Sequence, residues 1–305
     1  MQAQLEAYAD LIVQKGVNPD KGQEVLVIAG LDQPDFVRLV VKKLYEEGAA
    51  KVVVSWEDMP LAKLDQIYRS EESLSSLADW ELAKWKWRAD ALPALLWLDS
   101  DDPDGMDGID QGKRARAQMA RFPKIKPYRD EMENKFQWCI AGVPGVKWAQ
   151  KVFPGEESDV AVEKLWEAIL FTSRVTEDPI AAWAEHNENL AKRCAYLNSL
   201  NIRSLHYTAD NGTDLTVGLI PEGAWRGGGD KNLQGIFFNP NIPTEECFIS
   251  PKRGLAEGIV YSSMPWCYRG QIIDKFFLRF ENGRVVESKA EVGDELLTTV
   301  LDMDE

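Results

Sequence analysis

The chain has 305 residues, 45% hydrophobic and 28% charged, an ordinary globular composition with length enough for a large core and two lobes. Its 50 Asp and Glu outnumber 35 Lys and Arg, giving a formal net charge of -15. A field of that sign repels polyphosphates and anionic bilayers, so nucleic acid and membranes are excluded as partners, and the surplus reads as a solubilising acidic surface.

The four cysteines, Cys139, Cys194, Cys247 and Cys267, show no C-x-x-C spacing and are too sparse for a disulfide scaffold. Cys139, in the apolar run 137–141, is expected to be a buried reduced thiol. The eleven Trp residues read mostly as core or interface packing. The N-terminus is an amphipathic helix without the basic start and apolar block of a signal peptide, and no stretch approaches a transmembrane span. A soluble, cytoplasmic protein is expected.

In chain order, Leu5, Tyr8, Ala9, Ile12 and Val13 recur at helical spacing, with Gly16 as the expected C-cap. Residues 24–30 form a short buried strand. Phe36, Leu39, Val40, Val41 and Leu44 give the next helix its apolar face, closed by Gly48, and residues 51–56 form a second buried strand. Strand, helix and strand of this length predict a right-handed βαβ unit with parallel strands. The alternation continues with a helix over 74–90, a strand at 94–98, a helix around 112–121 and a strand at 136–141. Longer helices follow near 159–171 and 180–200. Beyond residue 200 the pattern turns to strands, at 203–208, 214–219, 258–263, 276–280 and 284–290, and Asn282-Gly283 is a strong hairpin signal. The fold class is therefore α/β: a parallel-sheet α/β lobe over 1–200, then a β-rich lobe over 201–305.

Several patterns carry less chemistry than they suggest. The acidic run from Asp99 to Asp110 lacks the closing Glu of an EF-hand and reads as a solvated loop. No strand is followed by a P-loop or dinucleotide fingerprint, and Gly227-Gly228-Gly229 reads as a loop allowing close backbone approach to a substrate. His186, on a helix among Glu185, Asn187 and Glu188, reads as solvated, and His206 alternates within a strand. Without a G-x-S-x-G elbow, Ser-His-Asp hydrolase chemistry is not expected.

The most informative segment runs from Phe238 to Phe248. Pro240 and Pro243 stiffen the approach to Glu245 and Glu246, which enter an expected strand pointing to opposite faces. A carboxylate fixed in this way can serve a divalent metal. From the residues alone, the pair reads as surface charge at a strand start.

Taken with Thr213-Asp214-Leu215, Trp225, Asn241-Ile242-Pro243-Thr244-Glu245-Glu246, Gly258 and Gly283-Arg284-Val285-Val286, the segment resembles the thermophilic-type metallo-aminopeptidase family. Gly16-Val17-Asn18, Gly22-Gln23 and Gly48-Ala49 extend the resemblance over essentially the whole chain. It implies a two-lobed, homodimeric cytoplasmic exopeptidase that removes N-terminal amino acids from peptides using two divalent ions of zinc or cobalt type. By motif position it makes Glu246 a metal ligand, gives Glu245 no assigned role, and leaves the catalytic residues unassigned. Cys247 departs from the Val more common in the family. The resemblance also places the remaining ligands (a second glutamate, histidines and an aspartate) after position 305. This polypeptide is accordingly expected to be an inactive N-terminal fragment, its catalytic lobe incomplete and its metals not retained. The alternative is a non-catalytic protein that holds a peptide or small molecule in an aromatic cleft around Trp225.

Overall fold

A computed structural model describes residues 1–302. The elements begin with α1 (Gln2–Leu11), β1 (Glu24–Gly30), α2 (Pro34–Glu46), β2 (Lys51–Glu57), α3 (Met59–Tyr68), α4 (Glu71–Ser75), α5 (Asp79–Ala91) and β3 (Ala94–Asp99). Next come α6 (Gln111–Met132), β4 (Trp138–Gly142), α7 (Val146–Val152), α8 (Ser158–Thr172), α9 (Pro179–Ser199), β5 (Ser204–Thr208) and β6 (Asp214–Leu219). Five two-residue strands follow: β7 (Arg226–Gly227), β8 (Asp230–Lys231), β9 (Phe237–Phe238), β10 (Asn241–Ile242) and β11 (Cys247–Phe248). The last elements are β12 (Pro251–Tyr261), β13 (Trp266–Tyr268), β14 (Gln271–Glu281), β15 (Arg284–Val292) and α10 (Asp294–Leu301). Met303, Asp304 and Glu305 lie outside the described residues.

Two compact units interleave along the chain: 1–102, 113–189 and 228–245 form the first, and 103–112, 190–227 and 246–305 form the second.

The first unit is built on a five-stranded parallel sheet in the order β10-β4-β3-β1-β2. Apolar runs in β1 and β3 reflect burial on both faces, as parallel sheets require. β2 is only half-buried because it is the edge strand, which corrects the expectation of a second buried strand. Tyr8, Phe36 and Trp166 form a ring cluster with centroids 5.1–6.4 Å apart, and the Tyr8 hydroxyl donates to the Gly142 carbonyl at 3.0 Å. Burial pushes the Tyr8 phenol well above its ordinary range.

Gly16 does not cap the first helix. A π-helical turn over Ile12–Val17 continues α1, and Asn18, in the left-handed region at φ 38°, ends it. The turn buries Gly16 where a Cβ would come within 2.8 Å of the Cys139 sulfur. The missing side chain serves packing there, and Cys139 is buried as expected, its thiol pushed far up by burial.

Three helices escaped the periodicity reading or outran it. α3 and α7 were not expected, and α6 continues through Pro123 and Pro127 to Met132 although each interior proline removes a helix hydrogen bond. Side chains along α6 hold it in place: Lys113 Nζ donates to the Gln66 carbonyl at 2.7 Å, Arg116 pairs with Glu71 at 2.8 Å and Arg121 with Glu81 at 2.5 Å. The tryptophans also divide differently from the core reading. Trp166 and Trp183 are buried, whereas Trp56, Trp80, Trp138 and Trp266 are exposed.

In the second unit β13, β14, β12, β6 and β5 form an antiparallel sheet, with β15 added to β14. Asn282 and Gly283, at φ 50° and 74°, make the two-residue β14–β15 turn that the Asn-Gly pair predicts. The core cluster is small: Leu296 and Leu297 of α10 with Ile273 of β14 and Ala290 of β15. The acidic run is not simply a solvated loop, because Met106 and Ile109 are buried and Met106 hydrogen-bonds to Gly270 through the backbone at 2.9 Å.

Candidate metal-ligand segment

Within the first unit, the approach to the paired glutamates is fixed residue by residue. The fully buried Asn239 donates its backbone N–H to the Lys15 and Gly16 carbonyls at 2.8 and 3.0 Å, and its side-chain amide pairs with that of Asn187. The Pro240 carbonyl accepts from Ile140 N at 2.8 Å. β10 then joins the parallel sheet, placing Ile242 in the core, and the Ile242–Pro243 peptide is cis.

His186 is the anchor that sequence reasoning missed. It is not solvated: it is 9% exposed, lies edge-on to the buried Trp183 with centroids 5.4 Å apart, and donates through Nε2 to the Thr244 carbonyl at 2.7 Å. Its charged neighbours concealed the apolar face of α9, where Trp183, His186 and Leu190 recur at three- and four-residue spacing. The next residue, Glu245, pairs with Arg174 at 2.5 Å, and its other oxygen stands 3.9 Å from His186 Nε2.

Glu246 belongs to the second unit, and its side chain is differently placed. It is exposed and has no hydrogen bond or ion pair among the described residues. Both glutamates precede β11 instead of entering it, so strand alternation does not set their directions. What positions Glu246 is its backbone: β11 pairs antiparallel with β7, and a Cβ on Gly227 would fall 2.3 Å from the Glu246 carbonyl oxygen. In the first unit, a Cβ on Gly229 would collide with the Phe237 ring at 1.9 Å. At Gly227 and Gly229 the missing side chain thus makes room for close approaches within the chain.

Cys247 turns toward α9, its sulfur 3.9 Å from the Leu190 carbonyl and close enough to Cys194 to influence its thiol. Burial first, and then Cys247, push the Cys194 thiol up to about 11. Trp225 is half-buried, and both its backbone N–H and carbonyl are held by the Asn198 amide, at 2.7 and 3.2 Å. No ring pair among the described residues includes Trp225. His206 sits exposed on β5 with Nε2 2.7 Å from Asp214.

Acidic side chains also gather at the carboxyl ends of β1, β2 and β3. Ser100 Oγ donates to Asp32 at 2.8 Å. Removal of its carboxyl from water, and the charges of Asp99, Glu57 and Asp32, push Asp101 up to about 6.

A catalytic metal needs several converging ligands and an open position. Among the described residues no three His, Cys, Asp or Glu side chains converge in this way. No helix among them is long and apolar enough to cross a membrane.

Comparison with known proteins gives this geometry its context. The chain is 40% identical over 303 residues to aminopeptidase AmpS of Bacillus subtilis (strain 168), covering 99% of this chain and 74% of that protein. It is 40% identical over 305 residues to aminopeptidase T of Thermus thermophilus, with coverage of 99% and 74%. The solved structure of wild-type AmpT from Thermus thermophilus superposes with a TM-score of 0.89 at 38% identity, covering all of this chain and 75% of that one. The model of the thermophilic metalloprotease (M29) family matches residues 1–305, and the chain belongs to that family.

Proposed function

We propose that the chain serves a metal-dependent aminopeptidase that releases N-terminal amino acids from peptides through a two-metal site of zinc or cobalt type, with Glu246 as one ligand. The observation that carries the assignment is the contrast within the pair. Glu245 is engaged by Arg174, whereas Glu246 is exposed, unpartnered among the described residues and fixed through its backbone. A carboxylate in that condition is available to a cation without first breaking an ion pair. In this reading the further ligands come from outside the described residues, and the lack of a converging His, Cys, Asp or Glu group among them supports it. The enzyme acts in the cytoplasm as a homodimer, without nucleic acid or membrane as partner; the formal charge of -15 supports that reading.

Titration with cobalt or zinc, followed by hydrolysis of an aminoacyl-arylamide, tests the assignment. Glu246→Gln is expected to weaken metal uptake by about 10-fold or more, as loss of a metal-site partner does, while Glu245→Gln has a far smaller effect. Equal losses in the two variants would overturn the choice of ligand. Tight stoichiometric binding of two ions by the 305-residue chain would overturn the need for ligands from elsewhere.

A further inference from the structure

The first unit contains a cavity of about 730 Å³ between α5, α6, β4 and the 230–238 segment. Its walls include the rings of Trp85, Phe122, Trp138 and Phe238, the last two with centroids 6.3 Å apart. Five cationic side chains line it, and two of these are already neutralised: Arg121 by Glu81 and Lys126 by Asp130. Arg88 and Arg129 are not. Arg88 stacks over the Trp85 ring at 4.5 Å and Arg129 over the Phe122 ring at 5.9 Å, and neither guanidinium has a hydrogen bond or ion pair among the described residues. Asp130, Glu133 and Asp230 also line the cavity, yet none forms an ion pair with either arginine.

This arrangement is unfavourable without a further partner. Arg88 is partly withdrawn from water, and that burial, with the positive charge of Arg129 added to it, holds the Arg88 guanidinium below its ordinary range. Two like charges sharing a recess repel each other, and none of the three carboxylates that line it pairs with them. Guanidinium forks match carboxylate, sulfonate and phosphate oxygens, and aromatic walls favour a flat ring.

We propose that this cavity is a binding site for a small organic anion with a flat aromatic body, its acidic group held between Arg88 and Arg129 and its ring against the Trp138 and Phe238 side. The site is distinct from the Glu246 segment and does not depend on the aminopeptidase reading. A free aromatic carboxylate and a nucleoside monophosphate share this chemistry.

Isothermal titration of the full chain with 2-naphthoate, its neutral amide 2-naphthamide, adenosine 5′-monophosphate and inorganic phosphate separates the possibilities. One saturable site per chain is expected for 2-naphthoate, at least tenfold tighter than for 2-naphthamide or phosphate, with quenching of tryptophan fluorescence from Trp85 and Trp138. Tighter binding of the monophosphate than of 2-naphthoate would identify the nucleotide as the better source; the reverse order would identify the carboxylate. Arg129→Met, an exposed substitution, should weaken 2-naphthoate at least fivefold, Arg129→Lys less, and Arg116→Met, elsewhere on α6, not at all. Arg88→Met is expected to act like Arg129→Met, and thermal melting checks that it folds. Equal affinity for acid and amide, unchanged binding in Arg129→Met, or no saturable binding of either organic anion up to several millimolar would overturn the proposal.

Discussion

The two units hold themselves together by different means. In the first, a parallel sheet is covered by helices and one continuous apolar cluster runs from Tyr8 and Leu11 through Val25, Val27 and Leu96 to Trp183 and Ile242. In the second, an antiparallel sheet alternates exposed with half-buried residues over the first four positions of β6 and leaves the first five of β12 exposed, and four buried apolar residues form a core cluster. Parallel sheets are stabilised mainly by burial on both faces, whereas antiparallel ladders tolerate water on one. The comparison teaches where each kind of defect should hurt. Core truncation damages the first unit most, and backbone crowding damages the second.

Three variants probe that contrast, from the largest effect to the smallest. Leu96→Ala empties a fully buried position in the central strand β3 and is expected to cost about 3–5 kcal/mol, while Leu297→Ala on the buried face of α10 costs about 2–3 kcal/mol and releases chiefly the second unit. Urea titration with hydrogen exchange read in each unit measures both; equal, coincident losses would erase the distinction. Gly227→Ala forces a Cβ to 2.3 Å from the Glu246 carbonyl, so the β7–β11 ladder must shift. A cost of about 1–3 kcal/mol is expected, together with weaker metal uptake at Glu246 and no change in exchange at β1 or β3. Retained stability and metal uptake would show that the close approach does not matter.

The smallest effect is electrostatic. Asp101 is pushed up to about 6 from an ordinary 3.8, so the folded chain holds its proton at a pH where the unfolded chain has lost it. The stabilising contribution of the protonated group is full below pH 3.8 and is lost as pH rises through about 6. Asp101→Asn should therefore raise stability at pH 7.5 and confer nothing at pH 4. Because Asp101 keeps considerable exposure, the gain is at most about 1 kcal/mol. Urea midpoints at the two pH values test the sign; a gain confined to the acidic side would refute it.

Most of the architecture was legible where periodicity is strong. The runs at 24–30 and 94–98, the helices at 159–171 and 180–200, and the Asn-Gly hairpin all lie where their patterns place them. What periodicity could not supply was the long-range partner of each residue. Gly16 resembles a cap until the sulfur of Cys139, more than a hundred residues away, explains why it lacks a side chain. His186 reads as solvated because its neighbours in sequence are charged, while its partner, the Thr244 carbonyl, is distant in the chain. The prolines of α6 suggest an earlier end, and the side-chain bonds that hold the helix come from α3, α4 and α5. The aromatic cavity was illegible for the same reason, since its walls come from four separate stretches. The Pro-Thr-Glu-Glu motif was visible throughout, but which glutamate is left unengaged depends on Arg174.

The position of β10 has a consequence for how the chain assembles during synthesis. β10 covers the outer edge of β4, yet it lies about a hundred residues downstream, at Asn241–Ile242. At cellular translation speeds of about 5–20 residues per second, β4 emerges roughly 5–20 seconds before the strand that covers it. Throughout that interval an apolar strand presents unpaired backbone groups, a template for pairing with another nascent chain. The two residues of β10 thus close an edge whose exposure sets the window in which this protein is most open to aggregation and to capture by chaperones.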